Sequence, residues 1–327
     1  MYDIVAIGSA TQDVFMTSSG IRVLESDDFT VGKGLCIPFG SKLEVDRLVF
    51  ASGGGGTNAA VTFARQGLRT ACVGVVGQDA NARTILDELR REGIDAKYFQ
   101  VHDDDITAYS VILVAEGGER TILSYKGEGQ HFIADRVPWD RLKTKWLYLD
   151  SLGGSWDMLE RAVQWAAKEG IKLASNPGGK ELAHGVEKLQ PLLKHFTVVA
   201  MNQEEASKLT GIPFERERDI FRAMDDLIGG VFVMTKGSGG SVVSDGERLY
   251  EAGVPTPGAV ERTGAGDAFN SGFVAEYSRT ADVTRAIQVG TANASSVVQH
   301  FGAKEGILHR GSLGPWPPVS VRVSDLT

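Results

Sequence analysis

Thr263-Gly264-Ala265-Gly266-Asp267 places two glycines and a carboxylate within five residues. The run reads as a glycine turn leading straight into a helix, with Asp267 on the first helical turn. Backbone N–H groups at such a turn point outward unpaired, and the helix dipole adds partial positive charge, so the place suits a phosphate. A carboxylate beside a phosphate is unfavourable unless it has work to do, such as accepting a proton. An anion cradle and a base within one turn point to phosphoryl transfer to a hydroxyl. The plainer reading of these five residues alone is a turn followed by a helix with an acidic first turn.

Gly53-Gly54-Gly55-Gly56-Thr57-Asn58 is wedged between an apolar strand and an apolar helix, unlike a linker. Four glycines there let backbone amides approach a ligand, and Asn58 offers a hydroxyl both a donor and an acceptor. The run is not a dinucleotide fingerprint, because the third glycine of G-x-G-x-x-G falls on Asn58, and G-x-x-x-x-G-K-[ST] is missing from the chain. Asn202-Gln203-Glu204-Glu205 follows the apolar run Val198-Val199-Ala200-Met201. It reads either as a capping-box variant or as a pair holding a magnesium–phosphate assembly through water. Thr235-Lys236-Gly237-Ser238-Gly239-Gly240 reads as a hairpin turn or as a loop approaching nucleotide phosphates. Asn176-Pro177-Gly178, just past another strand, is a candidate for the same nucleotide.

The elements that must position these residues alternate along the chain. Ile4-Val5-Ala6-Ile7-Gly8 is a buried strand, and Asp13 follows near its carboxyl end, where open α/β sheets bind ligands. Strands are expected at 71–76, 146–150, 171–174, 196–200 and 231–235. Helices are expected at 58–68, 80–92, 156–169, 179–194, 202–210, 215–228, 264–279 and about 282–300. Hairpins are expected at 109–125, turning at Glu116-Gly117-Gly118-Glu119, and at about 240–252. The tail after Gly311, with Pro315, Pro317 and Pro318, reads as loosely ordered. The fold class is therefore α/β, a mostly parallel central sheet with helices on both faces. A single domain of residues 1–327 carries a small β lid built from about 14–50 and 105–127.

The chain has 327 residues, 42% hydrophobic and 23% charged, with a net charge of −8. That balance indicates no broad basic surface for nucleic acid or anionic membrane. No apolar run approaches the roughly 20 residues a membrane helix needs. Met1-Tyr2-Asp3-Ile4-Val5 lacks a signal-peptide pattern, so a cytoplasmic enzyme is the default. Cys36 and Cys72 allow one bridge but suggest no disulfide scaffold, and the six histidines show no paired metal-ligand spacing.

Taken in order, Gly53-Gly54-x-Gly56-x-Asn58, Gly74-x-x-Gly77-x-Asp79, Asn202-x-x-Glu205 and Thr263-Gly264-Ala265-Gly266-Asp267-Ala268-Phe269 resemble the ribokinase-like carbohydrate kinases, also called the phosphofructokinase-B family. The match runs from Asp3 to about Gly306. The resemblance implies magnesium-dependent phosphoryl transfer from ATP to a hydroxyl, usually a primary alcohol of a sugar or nucleoside. It implies Asp267 as catalytic base and Gly264, Ala265 and Gly266 as the anion hole. Asp13, Gly54, Gly55, Asn58 and Asp150 match sugar-binding positions. Asn176, Asn202, Glu205, Thr235, Gly237 and Gly240 match nucleotide positions, with Glu205 meeting magnesium through water.

One departure is Glu261-Arg262-Thr263, where family members usually carry Asp-Thr-Thr. Many relatives hold potassium with that Asp and with carbonyls matching roughly Val297, His300, Gly302 and Gly306. The longer Glu261 leaves open whether Glu261 and Thr263 keep a monovalent-cation site. For the acceptor, an unphosphorylated sugar or nucleoside is favoured. Phe15, Phe39 and Phe50 are candidates for a base slot, and Arg120, Lys126, Lys42 and Lys33 for the clamp a sugar phosphate needs. The alternatives are a sugar-phosphate kinase of the same family and a non-catalytic ligand-binding member. A lid sheet with bare edges and an apolar face implies a homodimer through the lid.

Overall fold

Short apolar runs between amphipathic helices bury both faces of each strand only if the strands lie side by side beneath helices. The computed structural model describes residues 1–29, 32–115, 120–255 and 258–326. The strands of the first half are β1 (Tyr2–Ile7), β2 (Thr11–Thr17), β3 (Arg22–Glu25), β4 (Lys33–Cys36), β5 (Arg47–Gly53), β6 (Thr70–Val73), β7 (Val75–Gly77), β8 (Gln100–His102) and β9 (Tyr109–Val114). Then come β10 (Arg120–Tyr125), β11 (Thr144–Leu149), β12 (Lys172–Ser175), β13 (Phe196–Asn202), β14 (Val231–Thr235), β15 (Ser241–Ser244), β16 (Arg248–Ala252) and β17 (Val321–Asp325). The helices are α1 (Gly55–Arg65), α2 (Ala80–Arg91), α3 (Trp156–Glu169), α4 (Gly179–Leu182), α5 (Val186–Leu193), α6 (Gln203–Thr210), α7 (Glu217–Leu227), α8 (Ala265–Thr280) and α9 (Val283–Val297).

The main sheet runs β17-β16-β15-β14-β13-β12-β11-β1-β6. Its strands from β6 to β14 are parallel and its last three are antiparallel. Side chains alternate between two cores, as the period of a strand requires. Val5 and Ile7 of β1 join Leu147 and Leu149 of β11 under α3, α5, α6 and α7. Ile4 and Ala6 join Trp146 and Tyr148 under α1, α2, α8 and α9. The expected α/β sandwich is what the chain forms.

A second sheet, β10-β9-β2-β5, lies apart from the first, and β3–β4 make a separate ribbon. The expected hairpin 109–125 is present as β9–β10, while its turn, Glu116–Glu119, lies outside the described residues. Asp13 belongs to this small sheet, paired in register with Ala51 and Ser110. The alternation along β2, β9 and β10 turns Asp13, Ser110, Ile112, Ile122 and Ser124 to one face. Leu48, Phe50 and Leu123 lie on the other face, exposed by 51%, 65% and 57%.

Three expectations need correcting. Residues 321–325 are ordered, pairing with β16 through contacts such as Tyr250↔Val323. Val321 and Val323 alternate with Arg322 and Ser324, a strand pattern overshadowed by the nearby prolines. The strand expected at 71–76 is two strands in different sheets, broken at Gly74, where a Cβ would meet Phe99 Cε1 at 2.6 Å. The first helix starts at Gly55, so two glycines of the run form its opening turn. Cys36 and Cys72 are both free thiols. Among the described residues no helix is long and apolar enough to cross a membrane.

Candidate active site

The inner face of the small sheet and the carboxyl ends of β1 and β11 enclose a cavity of about 570 Å³. Asp267 lines it from the first turn of α8. The residue before that helix, Gly264, has a left-handed backbone with φ 77°. A Cβ there would lie 2.3 Å from Ala303 Cβ and 2.9 Å from Ala303 Cα. Only glycine makes this turn without strain or overlap. Asn58, on α1, donates from Nδ2 to Asp267 Oδ2 at 2.8 Å, so the two glycine-led helices meet at one carboxylate.

The first glycine run is narrow because two other carboxylates lie against it. A Cβ on Gly53 would sit 1.9 Å from Asp13 Oδ2, and one on Gly55 would sit 2.0 Å from Asp150 Oδ1. Gly54, with φ 93°, lies so close to Ser9 that a Cβ would be 2.4 Å from the Ser9 carbonyl oxygen. Asp13 accepts from Thr11 Oγ1 at 2.9 Å. Asp150, just past β11, accepts from the Ser151 amide at 2.7 Å. Its Oδ2 and Asn58 Oδ1 are buried without a partner among the described residues. Unsatisfied acceptors of this kind suit the hydroxyls of an incoming polyol.

Burial pushes all three carboxyls upward. Asp150 is held well above the usual range by burial and then by the charge of Asp267. Asp267 is raised by burial, opposed by the hydrogen bond from Asn58, raised again by the charge of Asp13 and lowered by that of Lys304. Asp13 is raised by burial, with the Thr11 hydroxyl and Lys304 acting the other way. Lys304 is buried, hydrogen-bonded to Ser52 Oγ and 3.7 Å from Glu88; burial pushes its ammonium downward. No motif marks Lys304 in the sequence.

The raised Asp150 yields a prediction. In the folded state Asp150 holds its proton to higher pH than in the unfolded chain, so it subtracts stability as pH rises above the ordinary carboxylate range. Asp150→Asn is therefore expected to melt higher than the parent at pH 7 to 8. The gap should close at acid pH, where the native carboxyl is protonated in both states. Thermal melts across pH check this; a variant less stable at neutral pH would contradict it.

The candidate nucleotide positions form a second zone along the same sheet edge. Asn202 and Thr235 end adjacent strands as register partners, and Asn176 follows β12. Asn176 Oδ1 accepts from Asn270 of α8. Asn202 and Glu205 form a reciprocal capping box, with Glu205 N to Asn202 Oδ1 at 2.8 Å and Asn202 N to Glu205 Oε2 at 2.9 Å. Burial raises Glu205. Gly237 and Gly240 shape the turn after β14; a Cβ on Gly240 would lie 2.0 Å from the Ala252 carbonyl oxygen. None of these six residues lines the 570 Å³ cavity.

Glu261 is buried, accepting from the Thr263 amide at 2.6 Å and from the Thr263 hydroxyl. Arg120 reaches across from β10 to Thr263 Oγ1 at 2.9 Å and Glu261 Oε1 at 3.3 Å. Among the described residues no group of three or more His, Cys, Asp or Glu side chains is gathered to hold a metal. The candidate base slot does not form: Phe15 is buried against Phe301, and Phe39 and Phe50 are exposed. Of the basic candidates, Lys126 lines the cavity, whereas Lys33 pairs with Glu25 on the β3–β4 ribbon and Lys42 is exposed. Ser9, Thr11, Ser124, Gln130, Ser151 and Lys180 also line the cavity. Sequence spacing gave no sign of them, since loops and short turns bring them there.

Comparison with known proteins bears on this arrangement. The pfkB family carbohydrate kinase model matches residues 1–310. The ribokinase of Haemophilus influenzae is 28% identical over 274 residues, 82% of this chain and 88% of that protein. A nucleoside kinase of Methanothermobacter thermautotrophicus is 25% identical over 268 residues, 82% of this chain and 84% of that protein. The structure of Arabidopsis thaliana ribokinase complexed with ribose and ATP shares the fold at a TM-score of 0.76 and 22% identity, covering 95% of this chain and 97% of that one.

Proposed function

The chain belongs to the pfkB family of carbohydrate kinases, a sugar or nucleoside kinase of ribokinase-like fold, and from that premise we propose that it transfers the γ-phosphoryl group of ATP to a hydroxyl of a polyol acceptor, with Asp267 receiving the proton. One observation carries this reading: Asp267 lies in the cavity, on the first turn of α8 directly after the Gly264–Gly266 turn, fixed by Asn58. An alcohol is too weak an acid to be deprotonated beforehand. Asp267 takes the proton as the oxygen–phosphorus bond forms. Amides of Gly264, Ala265 and Gly266 at the helix N-terminus stabilise charge on the migrating phosphoryl group. Asp13, Asp150, Asn58 and the Gly54 amide orient the acceptor's hydroxyls, while the Gly55 amide holds the Ser9 hydroxyl at 3.0 Å beside them.

Asn176, Asn202, Thr235, Gly237 and Gly240 supply the nucleotide side of the site. Magnesium bound with the triphosphate supplies charge neutralisation. Glu205 fits its outer shell, because burial already raises that carboxyl and a nearby cation would offset the cost. Potassium is not assigned here, since Arg120 provides the charge opposite Glu261. An ADP-release assay across ribose, fructose, ketodeoxygluconate, fructose phosphates and common nucleosides tests the proposal. A folded protein that releases ADP with none of them refutes it.

The small sheet acts as the lid that excludes water from the reacting groups. Its outer face exposes Leu48, Phe50 and Leu123 together, an apolar surface that a second copy would cover. Light scattering at micromolar concentration is expected to give twice the chain mass, and Phe50→Asp to shift it toward monomer. A monomeric parent protein would remove this part of the proposal.

A further inference from the structure

Two amines enter the cavity from separate parts of the chain. Lys126 precedes the short turn Gly127–Gln130 after β10, and Lys180 lies on α4; both line the cavity that holds Asp13 and Asp267. Gln130 stands with them, its Oε1 accepting from Lys180 Nζ at 2.6 Å. Gln130 and Lys180 sit against glycines. A Cβ on Gly153 would lie 2.4 Å from Gln130 Cα, and one on Gly154 would lie 3.1 Å from Lys180 Cβ.

Neither lysine has a carboxylate partner among the described residues. By contrast Lys97, Lys145, Lys208 and Lys236 each pair with an acid. The basic side chain of β10, Arg120, is already engaged by Glu261 and Thr263. The positive charge acting on Asp13 and Asp267 comes from Lys304. Lys126 and Lys180, both exposed, thus have no ion-pair partner among the described residues. A neutral polyol can accept hydrogen bonds from two ammonium groups, but a carboxylate or phosphate gains charge attraction from each as well.

Resting on the reading of Asp267 as the base, we infer that the acceptor is an anionic sugar, its reactive hydroxyl at Asp267 and its carboxylate or phosphate received by Lys126, Lys180 and the Gln130 amide. The site then sorts its charges: Asp13 and Asp150 grip hydroxyls, Asp267 takes the proton, and two amines grip the acceptor's anion.

The test compares ATP-dependent turnover on a neutral hexose, a hexose phosphate and a 2-keto sugar acid. One anionic acceptor is expected to exceed the neutral one about tenfold or more in kcat/KM, mainly through KM, and the arm that wins identifies the group. Lys126→Gln and Lys180→Gln should each raise KM for that acceptor about tenfold. The KM for ATP should hold, and the anionic-to-neutral ratio should fall toward one. A parent enzyme that prefers the neutral hexose overturns the inference while leaving the phosphotransfer reading intact, and it needs no variant to fold. A rise in KM for ATP with acceptor preference unchanged also overturns it, assigning the amines to the triphosphate. If none of the three is turned over, the wider panel of sugars and nucleosides decides the phosphotransfer reading. Calorimetric titration of the same three compounds then judges the inference alone, and equal or absent binding of the anionic pair overturns it.

Discussion

Asp267→Asn is expected to lose about 10²–10⁴-fold in kcat, or more, while folding normally. The amide fills the same space, and its oxygen can still accept from Asn58 Nδ2, so the contact that fixes the side chain in the parent survives. What the proposed mechanism would lose is the carboxylate's basicity, which a neutral amide cannot supply. The KM values for ATP and acceptor should change little, because Asp267 is asked for proton transfer rather than grip. Burial raises the parent carboxyl, so its activity should fall away on the acid side at a pH above the ordinary carboxylate range. The residual activity of the variant should lack that limb. Turnover close to the parent value would remove Asp267 from the reaction.

Gly264→Ala is expected to damage both stability and rate. An alanine held at φ 77° costs about 1–2 kcal/mol. Its Cβ would in addition overlap Ala303, 2.3 Å from the Cβ and 2.9 Å from the Cα. Relief by backbone movement shifts the amides proposed to hold the phosphoryl group, and loss of one such donor is commonly worth about 10²–10³-fold. A lower melting temperature and a rate loss of that order should appear together. Adding Ala303→Gly should recover part of the melting temperature, since it removes the overlap but not the left-handed strain. Gly266→Ala is the contrast in stability: nothing lies within 4 Å of its added Cβ, so its melting temperature should hold. Equal melting temperatures for the Gly264 and Gly266 variants would show that the turn is not constrained as described.

How far the sequence leads depends on whether the signal is local. The strand–helix alternation, the capping box at Asn202 and the turn before α8 are written in adjacent residues, and they appear where expected. The start of α1 departs from the sequence reading because Gly55 and Gly56 are poor helix formers, yet they begin the helix where the Asp150 carboxylate and the Gly8 backbone lie too close for a side chain. The edge strand β17 was hidden behind prolines. Lys304, Arg120, Lys126 and Lys180 are harder cases. A lone cation has no periodic signature, and only the assembled topology shows one buried beside Glu88, another spanning from β10 to Thr263 and two on the cavity wall. Phe15 misleads in the opposite way, lying on the same face as Asp13 and Ile112 yet buried against Val114 and Phe301 rather than on the cavity wall.

Asn58 and Asp267 touch across a sequence separation of 209 residues. A ribosome that has released only the first two-thirds of this polypeptide has already made Asp13, Asn58 and Asp150, yet not the residue proposed as base. On that proposal chemistry switches on late in synthesis, and fragments truncated before the final quarter are born inert.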